Sequence, residues 1–368
     1  MMKRLSLAAL TMALIAGPVI AAAPVVAPVA TAPAGLKSLP VTVGGRMQQK
    51  DSAYTYQWPG TYFETAFEGQ AVYFTVGKGD EILHVTVDGQ GAAPVIKPAP
   101  GLYGVEGLAA GKHVVRIEVV TESQAAPDTF GGFSAAAEAK PVALKARARQ
   151  IEFIGDSHTV GYGNISTTRD CTSDDVWKTT DNSLAFGPVT ARHYDADYQI
   201  NAISGHGIVR NYNGSPGDPV PVAYPFILLN HDTPYQDAGW QPQIIVIALG
   251  TNDFSTPLNA GEKWMTRDQL HADYEATYVK FLKDLRARNP KAYLILWATD
   301  MANGEIASEV QKVVTQAKAS GEDRLTFIPV SGLAMTGCHY HPSAGDDQTI
   351  SNLLTGFIDK HPDVWQGK

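Results

Sequence analysis

Four short loops in the second half of the chain carry the groups that acyl transfer requires: a hydroxyl, an unobstructed backbone amide, a carboxamide and an imidazole. In chain order these residues are Ser157, Gly205, Asn252 and His341. A serine hydroxyl becomes a nucleophile when an imidazole takes its proton, and amide N–H groups stabilise the oxyanion that forms. A lone Gly-Asp-Ser is a common string that also suits a helix-capping turn, so the chemistry depends on whether the fold brings the loops together.

The elements around these loops predict that they meet. Near-continuous apolar runs precede the loops and recur towards the C-terminus, and helical stretches separate the later ones; the runs lie at 150–154, 198–203, 243–249, 292–298 and 325–330. Such runs are typical of parallel strands that are buried on both faces. Residues 149–368 are therefore predicted to form an α/β domain with a doubly wound, flavodoxin-like sheet. Ligand sites of such sheets lie at the carboxyl ends of the strands, where these loops would be.

The first half of the chain has a different pattern. Residues 36–134 contain many short alternating strands separated by glycine-rich turns, which indicates an all-β sandwich or jelly roll. Residues 135–148 are polar and alanine-rich and are predicted to connect the two domains. Residues 24–35, which read PVVAPVATAPAG, are predicted to be a linker.

The N-terminus has the pattern of a targeting signal. Lys3 and Arg4 precede an apolar stretch, and small residues at 21–23 would suit cleavage, so residues 1–23 are predicted to be a secretory signal peptide. A membrane anchor is the alternative, although Gly17, Pro18 and the short apolar length oppose a spanning helix. The protein is expected to be secreted or periplasmic, without a membrane span in its mature form.

Composition narrows the class of function. The 368 residues are 44% hydrophobic and 18% charged, which is ordinary for a globular protein and excludes disorder and coiled coil. The net charge is -8, and no basic run follows the N-terminus, so no nucleic-acid partner is expected. An acidic protein of this kind suits a neutral or weakly charged substrate.

The α/β half resembles the SGNH (GDSL-type) hydrolases, and the whole chain resembles carbohydrate esterase family 2, the acetyl xylan esterase-like enzymes with an N-terminal jelly roll. The strings that carry the resemblance are IEFIGDS at 151–157, GYGN at 161–164, RNYN at 210–213, GCHYHPS at 337–343 and, in the first domain, AAGKHVVRIE at 109–118. The resemblance covers roughly residues 40–365. Each motif is short, whereas their order across two domains is specific.

The resemblance implies roles for individual residues. Ser157 matches the family nucleophile and His341 matches its base. The backbone N–H groups of Ser157 and Gly205, with the side-chain amide of Asn252, match the oxyanion hole. Tyr212 and Tyr340 fall where related enzymes place aromatic residues beside the acetylated sugar, and core or loop packing is the alternative for both. No cofactor is implied, and no metal site is expected because His339-x-His341 lacks further ligands.

One departure from the superfamily pattern concerns the acid. Relatives usually carry a carboxylate two or three residues before the catalytic histidine, where this chain has His339 and Cys338. Some relatives orient the histidine with a backbone carbonyl, so a Ser157–His341 dyad is predicted. Asp346 and Asp347 follow closely, but capping the next helix is the more natural task for them.

The two cysteines lie near the two catalytic residues. Cys338 is three residues before His341, and Cys171 is fourteen residues after Ser157. In an exported protein a disulfide is permitted, and a Cys171–Cys338 bridge would hold the two catalytic loops together. The alternative is a pair of buried free thiols.

These observations together predict a secreted carbohydrate O-acetyl esterase that acts on acetylated plant polysaccharides or oligosaccharides, such as xylan or glucomannan, through a Ser-His acyl-enzyme. Two alternatives stay open. The protein is a non-catalytic glycan-binding module if the missing acid marks a degenerate site. It is an SGNH esterase for lipid or peptidoglycan acyl groups if the acyl pocket accepts longer chains.

Overall fold

The computed structural model describes residues 23–366, so the predicted signal peptide lies almost entirely outside the described residues. Two domains follow one another along the chain. The first consists of β-strands and turns, and the second alternates strands with helices. Among the described residues no helix combines the length and the apolar character that a membrane span needs.

The first domain has two antiparallel sheets. One has the order β1-β11-β7-β13-β5-β4, with β2 on β13, and the other has the order β10-β8-β12-β6-β14, with β3 on β6 and β9 on β8. The strands are β1 (Val26–Pro28), β2 (Lys37–Ser38), β3 (Thr42–Gly44), β4 (Met47–Lys50), β5 (Ala53–Tyr56), β6 (Tyr62–Gly69), β7 (Val72–Val76), β8 (Ile82–Val87), β9 (Gln90–Gly91), β10 (Val95–Ile96), β11 (Gly101–Val105), β12 (Gly111–Val119), β13 (Asp128–Ala135) and β14 (Lys140–Pro141).

The two sheets share one apolar core because alternate side chains of each strand point inward. Phe63 of β6 stacks on Phe130 of β13 across the core, with ring centroids 4.1 Å apart. Phe74 of β7 and Ile117 of β12 are fully buried in the same cluster. An all-β sandwich ahead of an α/β domain is thus confirmed.

Both segments predicted as connections contain short strands. In the 24–35 segment, β1 pairs with β11, and in the 135–148 segment, β14 pairs with β6. Neither segment is therefore a free linker over its whole length. The proline content suggested linkers, but an edge strand tolerates proline because one side of it has no pairing partner.

The second domain is a five-stranded parallel sheet with the order β16-β15-β17-β18-β19. Its strands are β15 (Arg149–Gly155), β16 (Ala196–Ala202), β17 (Ile244–Ala248), β18 (Tyr293–Thr299) and β19 (Leu325–Val330). Its helices are α1 (Ser157–Val160), α2 (Ser173–Thr179), α3 (Phe186–His193), α4 (Val220–Ala223), α5 (Thr251–Phe254), α6 (Arg267–Arg288), α7 (Glu305–Ala319) and α8 (Ala344–Ile358).

Helices cover both faces of this sheet, which is why most residues of its strands are apolar. Ile245 and Ile247 of β17 pack in the cluster formed with α6 and α7. Ile244 and Val246 of the same strand pack in the cluster formed with α3 and α8. The predicted flavodoxin-like α/β architecture is confirmed, and the loops after β15, β16 and β17 lie at one edge of the sheet.

A buried cation fastens the two domains together. Arg46, which follows β3, extends into the second domain, where its Nη2 lies 3.0 Å from Glu152 Oε1 on β15. The Arg46 guanidinium lies over the rings of Tyr224 and Tyr235, 4.2 Å and 4.5 Å from their centroids. The first domain is thus held against the parallel sheet by a buried ion pair.

Candidate active site

Ser157 opens the short helix α1 directly after β15. Asp156 caps this helix, because its Oδ1 accepts the N–H of His158 at 3.0 Å. Only 5% of Ser157 is exposed to solvent. The strand–turn–helix geometry therefore presents the hydroxyl at the carboxyl edge of the sheet, as the position of the loop in the sequence predicts.

His341 lies next to this hydroxyl. It follows the helical turn Cys338–Tyr340 and precedes α8, and its Nε2 is 2.8 Å from Ser157 Oγ. Its Nδ1 is 2.8 Å from the carbonyl oxygen of Cys338. A carbonyl can only accept, so Nδ1 carries the hydrogen and Nε2 is free to accept the serine proton. Burial lowers the pKa of His341 to about 4, which keeps the imidazole neutral.

Neither nearby carboxylate hydrogen-bonds to His341: Asp346 takes part in the predicted cap of α8, whereas Asp347 does not. Asp346 accepts the N–H groups of Ser343 and Ala334 and completes the cap of α8. Asp347 is fully buried, where it accepts from Asn164 Nδ2 and from the Phe186 N–H, both at 3.1 Å. The orienting group at His341 is therefore a peptide carbonyl.

Packing holds the His341 ring on two sides. The ring of Tyr162 lies 4.3 Å from it between centroids, and the ring of His158 meets it nearly at right angles at 5.5 Å. His158 is buried and lies 6.4 Å from Trp297, with the rings almost parallel. Burial, together with the nearby His341, lowers the pKa of His158 to about 3, so His158 is a neutral wall residue.

His339 occupies the position where relatives usually carry the acid, and it forms a hydrogen bond with Tyr162. Its Nε2 lies 2.8 Å from the carbonyl oxygen of Cys171, so this nitrogen carries the hydrogen. Its Nδ1 then accepts from the Tyr162 hydroxyl at 3.1 Å. In the sequence, Tyr162 is only one residue of the GYGN string at 161–164. Its contact with His341 depends on loop geometry and has no local signal.

The predicted disulfide is present. Cys171 and Cys338 are bridged, with their Cα atoms 5.6 Å apart. The bridge joins the two residues whose carbonyls hold His339 and His341. Gly163 allows the close approach of these loops, because its φ is +55° and a Cβ there would lie 2.6 Å from Cys338 Sγ.

Two backbone N–H groups in the loops after β15 and β16 have no acceptor among the described residues. Neither Ser157 nor Gly205 donates its backbone N–H to an acceptor within residues 23–366. Gly205 has a φ of +84°, and a Cβ built on it would meet nothing within 4 Å. The peptide there is thus in a conformation that favours glycine, next to open space.

Asn252 is tied to both neighbouring loops. Its Nδ2 lies 3.1 Å from Asp156 Oδ2 and 2.9 Å from the carbonyl oxygen of His206. Burial raises the pKa of Asp156 to about 7. The Asn252 amide nitrogen already donates to these two oxygens, so one of the two hydrogen bonds must break before Nδ2 can donate to an oxyanion.

Asp253 anchors the loop that carries Gly205. Asp253 is fully buried and accepts the backbone N–H groups of three successive residues, 208–210, at distances from 2.9 to 3.2 Å. Arg210 is also buried, and its guanidinium makes two hydrogen bonds to Glu262. Asp253 therefore tethers this loop.

The first domain reaches this loop with two side chains that sequence reasoning missed. Glu122 Oε1 accepts the backbone N–H of Ser204 at 2.8 Å, and Gln124 Nε2 donates to the Ser204 carbonyl at 3.0 Å. Burial raises the pKa of Glu122. Two hydrogen bonds from the first domain thereby fix the Ser204 backbone, which precedes Gly205. No local sequence pattern reveals this contact.

The two tyrosines predicted beside the substrate are both exposed. Tyr212 is 54% exposed and Tyr340 is 62% exposed. Arg169 lies 4.8 Å from the Tyr340 ring centroid. The backbone N–H of Tyr212 donates to the Gly205 carbonyl at 2.8 Å, which places Tyr212 on the loop that carries Gly205. Their role in binding stays a prediction.

Comparison with known proteins shows to which family the two domains belong. The family models described as Carbohydrate esterase 2 N-terminal and GDSL-like Lipase/Acylhydrolase family match residues 43–144 and 153–360. An acetylxylan esterase / glucomannan deacetylase of Cellvibrio japonicus (strain Ueda107) is 50% identical over 335 residues, covering 89% of this chain and 93% of the relative. The chain belongs to carbohydrate esterase family 2.

Solved structures of family 2 share both domains. A carbohydrate esterase whose active site is described as having divergent catalytic and non-catalytic binding functions matches with a TM-score of 0.86 and 48% identity, over 89% of this chain and 100% of that one. A family two carbohydrate esterase from Clostridium thermocellum, in complex with cellohexaose, matches with a TM-score of 0.79 and 27% identity, over 88% and 100%. The protein is therefore a carbohydrate esterase of the GDSL type.

Proposed function

We propose that this family 2 esterase is exported and removes acetyl groups from plant polysaccharides or oligosaccharides, such as xylan and glucomannan, through an acyl-enzyme on Ser157. The observation that carries the proposal is the 2.8 Å contact between Ser157 Oγ and His341 Nε2, with Nδ1 of the same ring on a carbonyl. The match to an acetylxylan esterase / glucomannan deacetylase supports the substrate class.

In the acylation step, Ser157 Oγ attacks the acetyl carbonyl while His341 Nε2 takes the hydroxyl proton. The resulting imidazolium keeps its Nδ1–H on the Cys338 carbonyl. Collapse of the tetrahedral intermediate breaks the bond to the sugar oxygen, which receives the proton from His341 Nε2. The acetyl group is then an ester on Ser157, and the deacetylated sugar leaves.

In the deacylation step, His341 takes a proton from water, and the hydroxide attacks the acetyl-enzyme. Collapse releases acetate and returns the proton to Ser157 Oγ. The backbone N–H groups of Ser157 and Gly205 are the proposed oxyanion donors in both steps, with Asn252 as the third. Loss of one such donor typically costs ~10²–10³ in rate.

Features around the dyad support a carbohydrate substrate. Tyr212 and Tyr340 are exposed aromatic side chains in loops near the catalytic pair, where a sugar ring could pack. The net charge of -8 disfavours a strongly anionic polymer. The signal pattern at residues 1–23 supports export to the compartment where such polymers occur.

The experiment that tests the proposal measures acetate release from acetylated xylan and acetylated glucomannan. Ser157→Ala is expected to lose at least about 10³-fold in kcat, because the nucleophile is gone. Ser320→Ala, a matched change at an exposed serine after α7, is expected to keep the activity. Retained turnover in Ser157→Ala, or no turnover in the unaltered protein, would contradict the proposal.

The same assay separates the alternative acyl groups. If acetyl is the natural acyl group, 4-nitrophenyl acetate should be hydrolysed much faster than the octanoyl ester. An undiminished rate with octanoyl would favour a lipid or peptidoglycan esterase. Binding of glycan without any turnover would favour the non-catalytic module.

A further inference from the structure

The junction between the two domains holds a cavity that the reaction at Ser157 does not use. It has a volume of about 510 Å³ and lies between the turn at 78–80, the segment 122–128 and Trp177 of α2. The first domain forms most of the wall, and the catalytic domain contributes the indole. Such a position suits a ligand that also contacts the catalytic domain.

One wall of this junction cavity reaches the catalytic cleft. Glu122 lines the cavity, and its Oε1 accepts the N–H of Ser204 at 2.8 Å. Ser204 directly precedes Gly205, whose N–H is a proposed oxyanion donor. Glu122 therefore links the cavity to the loop that carries Gly205, so a polymer chain that occupies the cavity would lie on the side of that loop.

Trp177 is held as a rigid wall of the cavity. Its Nε1 donates to the carbonyl oxygen of Asp80 at 3.3 Å, across the domain boundary. The ammonium of Lys97 lies 4.2 Å from the centre of the indole and also 3.1 Å from the Asp80 carboxylate. A pre-oriented indole offers apolar contact area at a small cost in side-chain entropy.

The polar groups of the cavity favour a neutral ligand with hydroxyl groups. Carboxylates of Asp80, Glu122 and Asp128 and the ammonium of Lys78 line it together, so an anion would meet mostly negative charge. Aromatic surface combined with a few hydrogen-bonding groups of both kinds is the usual lining of a site that orients a polar organic ligand. A sugar ring has one apolar face and a rim of hydroxyls, which matches this lining.

We propose that the junction cavity is a subsite for a sugar unit of the polysaccharide chain, next to but distinct from the unit whose acetyl group reacts at Ser157. This inference rests on the proposed function. It implies that the enzyme recognises its substrate as a chain and that the first domain takes part in recognition.

The test compares a chain substrate with a small ester. For Trp177→Ala, the ratio of kcat/KM on acetylated xylohexaose to kcat/KM on 4-nitrophenyl acetate is expected to fall about tenfold, mainly through a higher KM for the hexasaccharide. Trp240→Ala, a matched change near the amino ends of the strands, is expected to leave the ratio unchanged. An unaltered ratio in Trp177→Ala, or an equal fall in Trp240→Ala, would overturn the proposal.

A binding experiment keeps this proposal distinguishable from failure of the proposed function. Calorimetric titration of Ser157→Ala with xylohexaose does not depend on turnover. Adding Trp177→Ala to that variant is expected to weaken binding about tenfold. Equal binding by the two proteins would exclude the subsite even if the enzyme is active, and weaker binding would support it even if the enzyme is not.

Discussion

His341, the proposed catalytic base, is oriented by a backbone carbonyl and not by a carboxylate. The Cys338 carbonyl fixes the tautomer of His341, while the rings of Tyr162 and His158 fix its plane. A carbonyl stabilises an imidazolium less than a carboxylate does, so packing must supply more of the orientation. The protonation of His341 and the Tyr162 ring that covers it should therefore control the rate.

The pH profile should report the burial of His341. An unperturbed histidine titrates near ~6.5, but burial lowers the pKa of His341 to about 4. The neutral form is the active base, so kcat/KM is expected to rise with pH through about 4 and to be near its plateau by about pH 5.5. Asp156, with a pKa of about 7, would give a separate step, which Asp156→Asn should remove. A single step near 6.5 that persists in that variant would contradict this assignment.

Tyr162 should act on the catalytic histidine through its ring. Tyr162→Ala removes the covering ring, so we expect kcat to fall about tenfold with a smaller change in KM. Water would then reach His341, its pKa would rise, and the acid limb of kcat/KM would move to higher pH. Tyr162→Phe keeps the ring and loses only the His339 contact, so it should restore most of the activity and the position of the limb. Equal effects of the two substitutions would exclude this role.

Residue types and their order, together with the resemblance to family 2, predicted the Ser157–His341 dyad, a carbonyl that orients His341, and the Cys171–Cys338 bridge. The structure contains the bridge and the carbonyl contact, while the catalytic roles stay predictions. The positions of Ser157 and His341 could be predicted because Ser157 follows a recognisable strand and His341 precedes a recognisable helix. The contacts of Tyr162 and His339 could not be predicted. They depend on left-handed backbone at His339, whose φ is +52°, and on a contact between loops 177 residues apart in the chain.

Among the elements, the two loops around the disulfide form one unit. The bridge joins Cys171, whose carbonyl holds His339, to Cys338, whose carbonyl holds His341. In Cys171→Ser/Cys338→Ser the free energy of unfolding should fall by about 2–4 kcal/mol, with a matching fall in Tm. We also expect kcat to fall, because both carbonyls gain freedom. Dithiothreitol should lower kcat of the unaltered protein and leave the double variant unaffected; the reverse pattern would contradict the prediction.

The parallel sheet was predictable because its strands are buried on both faces. Such strands appear in the sequence as near-continuous runs of apolar residues. The short strands β1 and β14 were not predictable. Each pairs with a strand far away in sequence, β1 with β11 and β14 with β6, and proline dominated the local composition. An edge strand needs only one partner, so its sequence carries little of the alternation that marks the others.

For the whole molecule, the relation between the domains was the least predictable feature. Arg46 and Glu152 form a buried pair across the junction, and Glu122 grips the peptide at Ser204. Each contact joins residues about 80 to 110 positions apart, so neither periodicity nor composition reports it. Through these contacts the first domain helps to position the loop that carries Gly205.

That support can be tested at Glu122. Glu122→Ala removes the acceptor of the Ser204 N–H, so the Gly205 amide should lose its fixed direction and kcat should fall roughly 10- to 100-fold, less than for loss of an oxyanion donor itself. Glu122→Gln keeps an oxygen acceptor and should restore most of kcat. Glu138→Gln, at an exposed site of the same half of the chain, should have no effect. If Glu122→Ala lowers Tm and leaves kcat unchanged, the contact serves only to hold the two domains together. If it lowers kcat and leaves Tm unchanged, the first domain directs the Gly205 amide that donates to the oxyanion.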